Sequence, residues 1–336
     1  MLKNLIKKVT RYTGLYYICA LLNKKLLYIL MYHGIAYNIE RNNLTNYSGK
    51  HLPANIFEKQ LKLITKYCSP VSLESIISDQ KLPANPVMLT FDDGYMNNYT
   101  YAYPLLKKYN VPATIFIATG FIDQSHFLWT DEIETIITKA EPERYRFNWE
   151  NETMALELSN HADKLRTFFF LTQYAKSLTA FQKNRFIEEL RKFLCSEYDW
   201  NSLDPLYLPL TWDQIREMNE DDLISIGSHT VSHPILAKCT LQQQRTELEL
   251  SKQRINEELG LDCISFAYPN GKFTDYNHET IRLLRNLGYK FAVTAVSGYI
   301  NQDRRDNYQL NRFGSVMSLE ELGTVATGLS RLVGTI

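Results

Sequence analysis

The sequence predicts an α/β protein in which parallel strands curl into a closed or nearly closed barrel. Two observations lead to this prediction. Apolar, strand-like runs recur with helical patterns between them, and polar clusters directly follow several of these runs. About seven parallel strands are expected, at residues 26–32, 87–91, 113–118, 223–227, 263–268, 290–296 and 308–313. In such a barrel, the chemistry belongs at the C-terminal ends of the strands.

The helices are indicated by their capping residues. Residues 240–243 have the pattern of a capping box, and Gly260 stands where a C-cap is expected, which predicts one long helix between them. From about 130 to 206 the pattern changes to long helical stretches without a strand of comparable quality. We therefore expect a helical insertion at about 130–206, within a catalytic domain that spans residues 26–336.

Residues 1–25 are expected to form an N-terminal helical arm. Basic residues lie on one side of the predicted amphipathic helix and apolar residues such as Leu5 and Val9 on the other. Its apolar stretch is too short to span a bilayer, so we expect it to lie on the barrel or on a membrane surface. The expected location is cytoplasmic, with peripheral contact to the inner membrane face left open. Export through a secretory signal is the alternative.

The composition excludes several classes of protein. With 336 residues and 45% hydrophobic content, the chain can bury a large core and is not a disordered protein. Its 37 basic and 37 acidic residues give no net charge, so nucleic acid is not an expected partner. The five cysteines are widely spaced and contain no C-x-x-C pair, which is typical of ordinary reduced or buried thiols. The oligomeric state is left open.

Two polar clusters have the residue types of a metal centre. Asp92 and Asp93 follow the strand expected at 87–91, and His229 and His233 follow the one expected at 223–227. One carboxylate and two imidazoles make a three-ligand divalent site with a position left for water. The second carboxylate is then free to act as a base on that water. Together the clusters predict metal-assisted hydrolysis.

The motifs around these residues resemble those of a known family. Residues 90–94, 229–233 and 266–271 are similar to successive motifs of the polysaccharide deacetylases, the NodB-homology or carbohydrate esterase 4 enzymes. The resemblance covers about residues 26–315 apart from the insertion. It implies a distorted (β/α)7-type barrel that removes acetyl groups from N-acetylated sugars with the help of a metal.

The resemblance also implies roles for single residues. Asp92 would be the general base, and a divalent metal, most often zinc, would be held by Asp93, His229 and His233. The nucleophile would be a water on that zinc. The tetrahedral oxyanion would need a further donor, and the backbone N–H of Asn270 is the candidate, in a turn whose Tyr268 and Pro269 would face the substrate.

The general acid departs from the common family pattern. Many members carry this histidine near the C-terminus, but residues 310–313 read Leu-Asn-Arg-Phe. His33 follows the first strand, as in the subgroup of biofilm poly-N-acetylglucosamine deacetylases, whose third motif reads Phe-Ala-Tyr-Pro as residues 266–269 do here. We therefore expect His33 to be the acid. Arg312 would orient Asp92, because the usual arginine is replaced by Ala267.

The expected substrate is an N-acetylated sugar in a glycan or glycolipid, with Trp212 as the best candidate for an aromatic wall of a sugar groove. Two alternatives stay open. One is an amidohydrolase acting on a small non-glycan amide, which a closed pocket would favour over a long groove. The other is a catalytically silent carbohydrate-binding relative, which would require that the acid is missing.

Overall fold

A computed structural model describes residues 26–37, 39, 44–47, 49–78, 81–195, 199–200, 203–314 and 318–328. A curled, mostly parallel sheet forms its centre. The strands are β1 (Leu26–Tyr32), β2 (Gly34–Ala36), β3 (His51–Pro53), β4 (Ser69–Pro70), β5 (Pro86–Phe91), β6 (Ala113–Ile117), β7 (Arg144–Trp149), β8 (Glu152–Glu157), β9 (Ile224–Ser228), β10 (Ser265–Ala267), β11 (Phe291–Val293), β12 (Ile300–Asn301) and β13 (Phe313–Gly314).

Helices surround this sheet and form most of the insertion. They are α1 (Ala54–Tyr67), α2 (Leu73–Ile77), α3 (Tyr103–Tyr109), α4 (Thr119–Ile122), α5 (Trp129–Lys139), α6 (His161–Ser177), α7 (Ala180–Leu194), α8 (Trp212–Asn219), α9 (Leu241–Leu259), α10 (His278–Asn286) and α11 (Leu319–Ala326). The predicted long helix is α9, whose capping box joins Thr240 and Gln243 and which ends at Gly260 in the left-handed conformation.

The barrel is closed by a short crossing segment. Strands β11, β10, β9, β6, β5 and β1 are neighbours in that order and run parallel. Leu310 then pairs in parallel with Val293 of β11, and β13 pairs in parallel with Leu30 and Met31 of β1. The segment thus joins both edges of the sheet, and the predicted distorted barrel is confirmed.

The observed strands are shorter than predicted near the C-terminus. The run at 308–313 was expected to be one strand, but only Leu310 bridges to β11 before the chain moves to β1 at β13. Because this segment pairs with each edge over one or two residues, hydrophobic periodicity overstates the length of the strand.

The core of the barrel comes from strands that are apolar along their whole length. In β5 and β6 all residues are buried, among them Leu89, Phe91 and Ile115 at 1% exposure or less. Strands covered on both faces do not alternate in polarity. This packing fixes the strand ends, and therefore the residues that follow them.

The insertion has a hydrophobic cluster of its own, with Trp149 and Phe186 among its buried members. Helices α5, α6 and α7 supply most of it, but β7 and β8 form an antiparallel hairpin that the sequence analysis did not expect. The segment expected to be a helical insertion thus also contains two strands, which were missed because only one face of this hairpin is buried. Phe147, Trp149, Met154 and Leu156 point inward while their neighbours are largely exposed.

The predicted N-terminal arm, residues 1–25, lies outside the described residues, so its helix and its membrane contact stay predictions. Within the described part of the chain, no helix has both the length and the apolar character needed to cross a membrane.

Candidate active site

Three buried side chains meet above the C-terminal ends of β5 and β9. Asp93 Oδ1 lies 3.5 Å from Nε2 of His229 and 3.5 Å from Nε2 of His233. Asp93 and His233 have φ values of 77° and 52°, a region that residues other than glycine rarely adopt. Among the described residues, this is the only group of three His, Cys, Asp or Glu side chains that could hold a metal ion.

The spacing and chemistry of this triad fit a divalent metal. Two ligands at about 2.1 Å from a tetrahedral ion stand about 3.4 Å apart, which agrees with both observed distances. Asp93 Oδ1 is buried and has no hydrogen-bond partner among the described residues, an arrangement that costs free energy unless a cation is close by. His229 Nδ1 lies 2.7 Å from the carbonyl oxygen of Ala267, which favours the tautomer that leaves Nε2 free as a ligand.

The loop that carries the two histidines is held from behind by Glu247 of α9. Its carboxylate accepts hydrogen bonds from the backbone N–H of Val231 at 2.8 Å, the backbone N–H of Ser232 at 2.9 Å and the hydroxyl of Ser232 at 2.6 Å. These bonds hold the loop between the two histidines against α9. The sequence analysis missed Glu247. It is an ordinary helical glutamate that follows Val231 by 16 residues and Ser232 by 15, and no pattern links it to them.

Asp92 is paired with the fully buried Arg312. The guanidinium donates to both carboxylate oxygens at 2.7 Å, to the hydroxyl of Thr90 at 3.1 Å and to the carbonyl of Thr294 at 2.7 Å. Burial alone would raise the pKa of Asp92, but the adjacent Arg312 and His229 outweigh it and lower that pKa. Asp92 is therefore ionised and held in one orientation.

His33 follows β1 and lines the same pocket, where it is partly buried. Burial lowers its pKa, although the nearby Asp93 and Asp92 act in the opposite direction. The next residue must be glycine, because a Cβ at Gly34 would lie 2.0 Å from the ring of His51. The His-Gly pair at the end of β1 thus allows His51 to pack closely beside the site.

The turn after β10 forms another part of the pocket wall. Asn270 lines the pocket, has a φ of 57°, and carries a buried side-chain nitrogen without a hydrogen-bond partner among the described residues. Tyr268 also lines the pocket, but its hydroxyl donates to the carbonyl of Tyr308 at 2.8 Å. It therefore offers its ring rather than its hydroxyl. Pro269 is not among the lining residues.

One pocket of about 320 Å³ is lined by His33, Asp92, Asp93, His229, His233, Tyr268, Asn270 and Arg312. Its arrangement of a metal triad, an ionised carboxylate and an imidazole is suited to hydrolysis of an amide.

Comparison with known proteins decides the family. A family model described as polysaccharide deacetylase matches residues 79–292, more than half of the chain. The chain belongs to the polysaccharide deacetylase family. Membership in this family makes the protein a hydrolase that acts on the amide bonds of N-acetyl groups.

Two relatives in this family resemble the chain to different extents. YxkH of Bacillus subtilis, provisionally named a polysaccharide deacetylase, is 25% identical over 289 residues, which cover 84% of this chain and 69% of that protein. The poly-β-1,6-N-acetyl-D-glucosamine N-deacetylase of Staphylococcus aureus is 34% identical over 109 residues, 31% of this chain and 37% of that protein. The second match therefore spans only about a third of each protein.

Solved structures of deacetylases share the fold. The Streptococcus pyogenes deacetylase PplD superimposes with a TM-score of 0.58 at 22% identity, over 90% of this chain and 97% of that one. IcaB from Ammonifex degensii gives a TM-score of 0.55 at 19% identity, over 90% and 96%. At this level of identity the likeness concerns the fold, and the predicted fold class is confirmed. The roles of single residues stay predictions.

The structure does not bring Trp212 into the pocket of this deacetylase. Trp212 begins α8, where its indole N–H donates to Asp123 at 2.7 Å and the guanidinium of Arg254 lies 5.0 Å from its ring centre. An aromatic residue next to a rim helix is not enough to predict a sugar-binding wall, because the side chain here turns toward neighbouring helices.

A second wall of the pocket, made by Lys50 and Thr130, was missed by the sequence analysis. The ammonium group of Lys50 forms an ion pair with Asp131 and donates to Thr130 Oγ1 at 2.8 Å. Burial disfavours its charge, but Asp131 and Asp93 outweigh that effect and raise the pKa of Lys50. Tyr95 completes the group by donating to Asp131 at 2.5 Å. No local sequence pattern predicts the contacts of Lys50, because its partners Thr130 and Asp131 lie about eighty positions further along the chain.

Proposed function

We propose that this enzyme removes N-acetyl groups from an N-acetylated sugar in a glycan or glycolipid, in a metal-dependent reaction. The observation that carries the proposal is the presence, in one pocket, of the Asp93–His229–His233 triad and the Asp92–Arg312 pair. The first group suits a divalent cation. The second keeps a base ionised beside it.

Asp93, His229 and His233 would hold the metal, with zinc as the first choice for one carboxylate and two imidazoles. When bound, such an ion polarises the amide carbonyl and lowers the pKa of water. Asp92 accepts the proton of the attacking water. Arg312 keeps Asp92 ionised and fixes the direction in which its oxygens point.

His33 donates a proton to the leaving amine. Burial lowers the pKa of His33, but the charges of Asp93 and Asp92 oppose this effect and favour the protonated ring that the role of acid requires. The backbone N–H of Asn270 offers a hydrogen bond to the oxyanion, from a turn that already lines the pocket. Tyr268 limits the space around the acetyl group with its ring.

The glycan part of the proposal is supported by the family and by the relative from Staphylococcus aureus, which is named for poly-β-1,6-N-acetyl-D-glucosamine. For the cellular setting, we propose a cytoplasmic enzyme whose N-terminal arm lies on the barrel or on the inner face of the membrane.

The test is acetate release from N-acetylglucosamine oligomers, peptidoglycan fragments and a lipid-linked N-acetylated sugar. The wild type should be active, should lose activity in a chelator and should regain it with Zn²⁺. Asp92→Asn and His33→Ala should each lower the rate by about 10² to 10⁴, whereas His161→Ala, at an exposed histidine, should not. Full activity in the chelator, or in Asp92→Asn, would exclude this mechanism.

A further inference from the structure

Two exposed aromatic rings contact each other at the surface, and one of them belongs to the segment that brings Gly49 and Lys50 to the pocket. Tyr47 and Phe169 are each 45% exposed, and their ring centres lie 5.3 Å apart at an interplanar angle of 80°. We call these two residues the aromatic pair. Tyr47 belongs to the segment before β3, and Phe169 belongs to α6 of the insertion. The pair therefore joins two parts of the chain that are far apart in sequence.

The backbone that carries Tyr47 is held in place by hydrogen bonds of the preceding residue, Asn46. The backbone N–H of Asn46 contacts Glu134 at 2.9 Å and the hydroxyl of Tyr207 at 2.7 Å. The side chain of Asn46 bonds the backbone of His51 in both directions, at 2.8 and 2.9 Å. Tyr47 follows Asn46 directly. It is thus presented from an anchored backbone, which keeps the entropy cost of binding low.

The same segment leads from the aromatic pair into the active site. Lys50, three residues after Tyr47, lines the pocket together with Gly49 and Thr130. Three residues span at most about 11 Å, so the Cα atom of Tyr47 lies within that distance of the Cα atom of the pocket residue Lys50. The backbone carbonyl of Lys50 also accepts a hydrogen bond at 3.2 Å from Gly34, the neighbour of the proposed acid His33.

Polar side chains follow Phe169 along its own face of α6. On α6, Gln173 and Lys176 follow Phe169 by four and seven residues and therefore share its face. An aromatic ring bordered by hydrogen-bonding groups suits a sugar, whose ring has apolar C–H faces and a polar edge of hydroxyl groups. A membrane or a second copy of the chain would require a wider apolar surface.

We propose that Tyr47 and Phe169 form a binding subsite for the sugar unit next to the one that is deacetylated. The enzyme would then act on an oligomeric or polymeric glycan rather than on a single sugar. This inference rests on the proposed function, since it names the substrate of the same site.

The experiment compares KM and kcat for the monomer and the pentamer of β-1,6-linked N-acetylglucosamine. Tyr47→Ala and Phe169→Ala should raise KM for the pentamer about tenfold, with kcat unchanged and no effect on the monomer. Phe170→Ala is the matched control, because Phe170 is 49% exposed but its ring neighbour is Tyr174. Equal losses on monomer and pentamer, or losses no larger than in Phe170→Ala, would overturn the subsite.

A binding measurement separates this inference from the proposed function. In calorimetric titrations with the Asp92→Asn protein, the pentamer should bind about tenfold more weakly after either aromatic substitution. If no N-acetylated sugar releases acetate, the proposed function fails, and the titration still decides on the subsite. Unchanged pentamer binding, or co-sedimentation with anionic phosphatidylglycerol vesicles that depends on Phe169, would overturn it.

Discussion

The pocket has two walls that are built in different ways. We define the strand wall as Asp92, Asp93, His229, His233 and Arg312, which follow strand ends or belong to the crossing segment that closes the barrel. We define the insertion wall as Gly49, Lys50 and Thr130, together with their anchors Asp131 and Glu134 on α5. The strand wall is positioned by backbone pairing inside the barrel. The insertion wall is positioned by side-chain contacts between distant segments.

This difference suggests that the strand wall carries the catalytic groups and the insertion wall contacts the rest of the substrate. Atoms that must stand within a few tenths of an ångström of each other are best placed on rigid elements, and the triad and the base lie on such elements. Contacts with the rest of a substrate tolerate more variation. The insertion wall, whose parts can be changed without moving a barrel strand, is therefore the place where we expect specificity to be set.

The largest effects are expected when each of the two carboxylates of the strand wall is substituted in turn. Asp93→Asn should lose the bound metal and lower activity by on the order of 10³ or more, because a neutral amide is a poor zinc ligand. Asp92→Asn should lose a comparable rate but keep the metal, since Asp92 faces Arg312. Metal content by atomic absorption and acetate release distinguish them. Metal loss in Asp92→Asn would contradict the assigned roles.

The next effect concerns the orientation of the base. Arg312→Lys should lower kcat by about 10- to 100-fold, because lysine cannot make the two parallel bonds to Asp92. It should leave metal content unchanged. Arg312→Met would leave a buried carboxylate unpaired and should destabilise the fold by about 3–5 kcal/mol, measured by urea unfolding. A kcat for Arg312→Lys within twofold of the wild type would show that Asp92 needs no such support.

The sequence was sufficient to predict most of the strand wall. Asp92, Asp93, His229 and His233 each follow an apolar run, and a parallel barrel brings such strand ends to one rim. Arg312 was expected beside Asp92 only through the family resemblance, because Ala267 replaces the arginine that usually orients the base.

The insertion wall could not be predicted in the same way. Lys50 precedes a three-residue strand, and its partners Thr130 and Asp131 begin a helix about eighty residues later. Nothing in hydrophobic periodicity or in capping patterns connects these segments, because side-chain packing alone brings them together. The hairpin β7–β8 was missed for a related reason, since half of its residues face solvent.

The third prediction concerns the insertion wall, where Glu134 should make the stability of the fold depend on pH. Burial, with the help of Asp131, raises the pKa of Glu134 from 4.5 to about 7. The folded protein thus binds this proton more tightly than the unfolded chain, so stability present below pH 4.5 is lost as the pH rises to about 7. In Glu134→Gln this loss should disappear. Its stability relative to the wild type should therefore increase by on the order of 2 kcal/mol between pH 5 and pH 8.

Thermal unfolding of both proteins at the two pH values measures this difference. Glu132→Gln is the matched control, because burial also raises the pKa of Glu132 to about 7, but its partner is Arg191 rather than Asn46. Glu134→Ala, which removes the acceptor for the Asn46 N–H, should also change the KM for an oligomeric substrate, whereas Glu132→Ala should not, since Glu134 anchors the backbone before Tyr47. A pH-independent difference for Glu134→Gln would show that Glu134 is ionised in the folded state.

The smallest effect is expected for Trp212, which lies outside both walls. Its ring is held by Asp123 and Arg254 at the surface of the barrel, so Trp212→Ala should cost about 1 kcal/mol of stability. The kcat/KM for oligomers should stay within about twofold of the wild type, and Arg254→Ala should reproduce the stability change. A drop of tenfold or more in kcat/KM, specific to longer oligomers, would place a third wall at α8 and extend the glycan path beyond the aromatic pair.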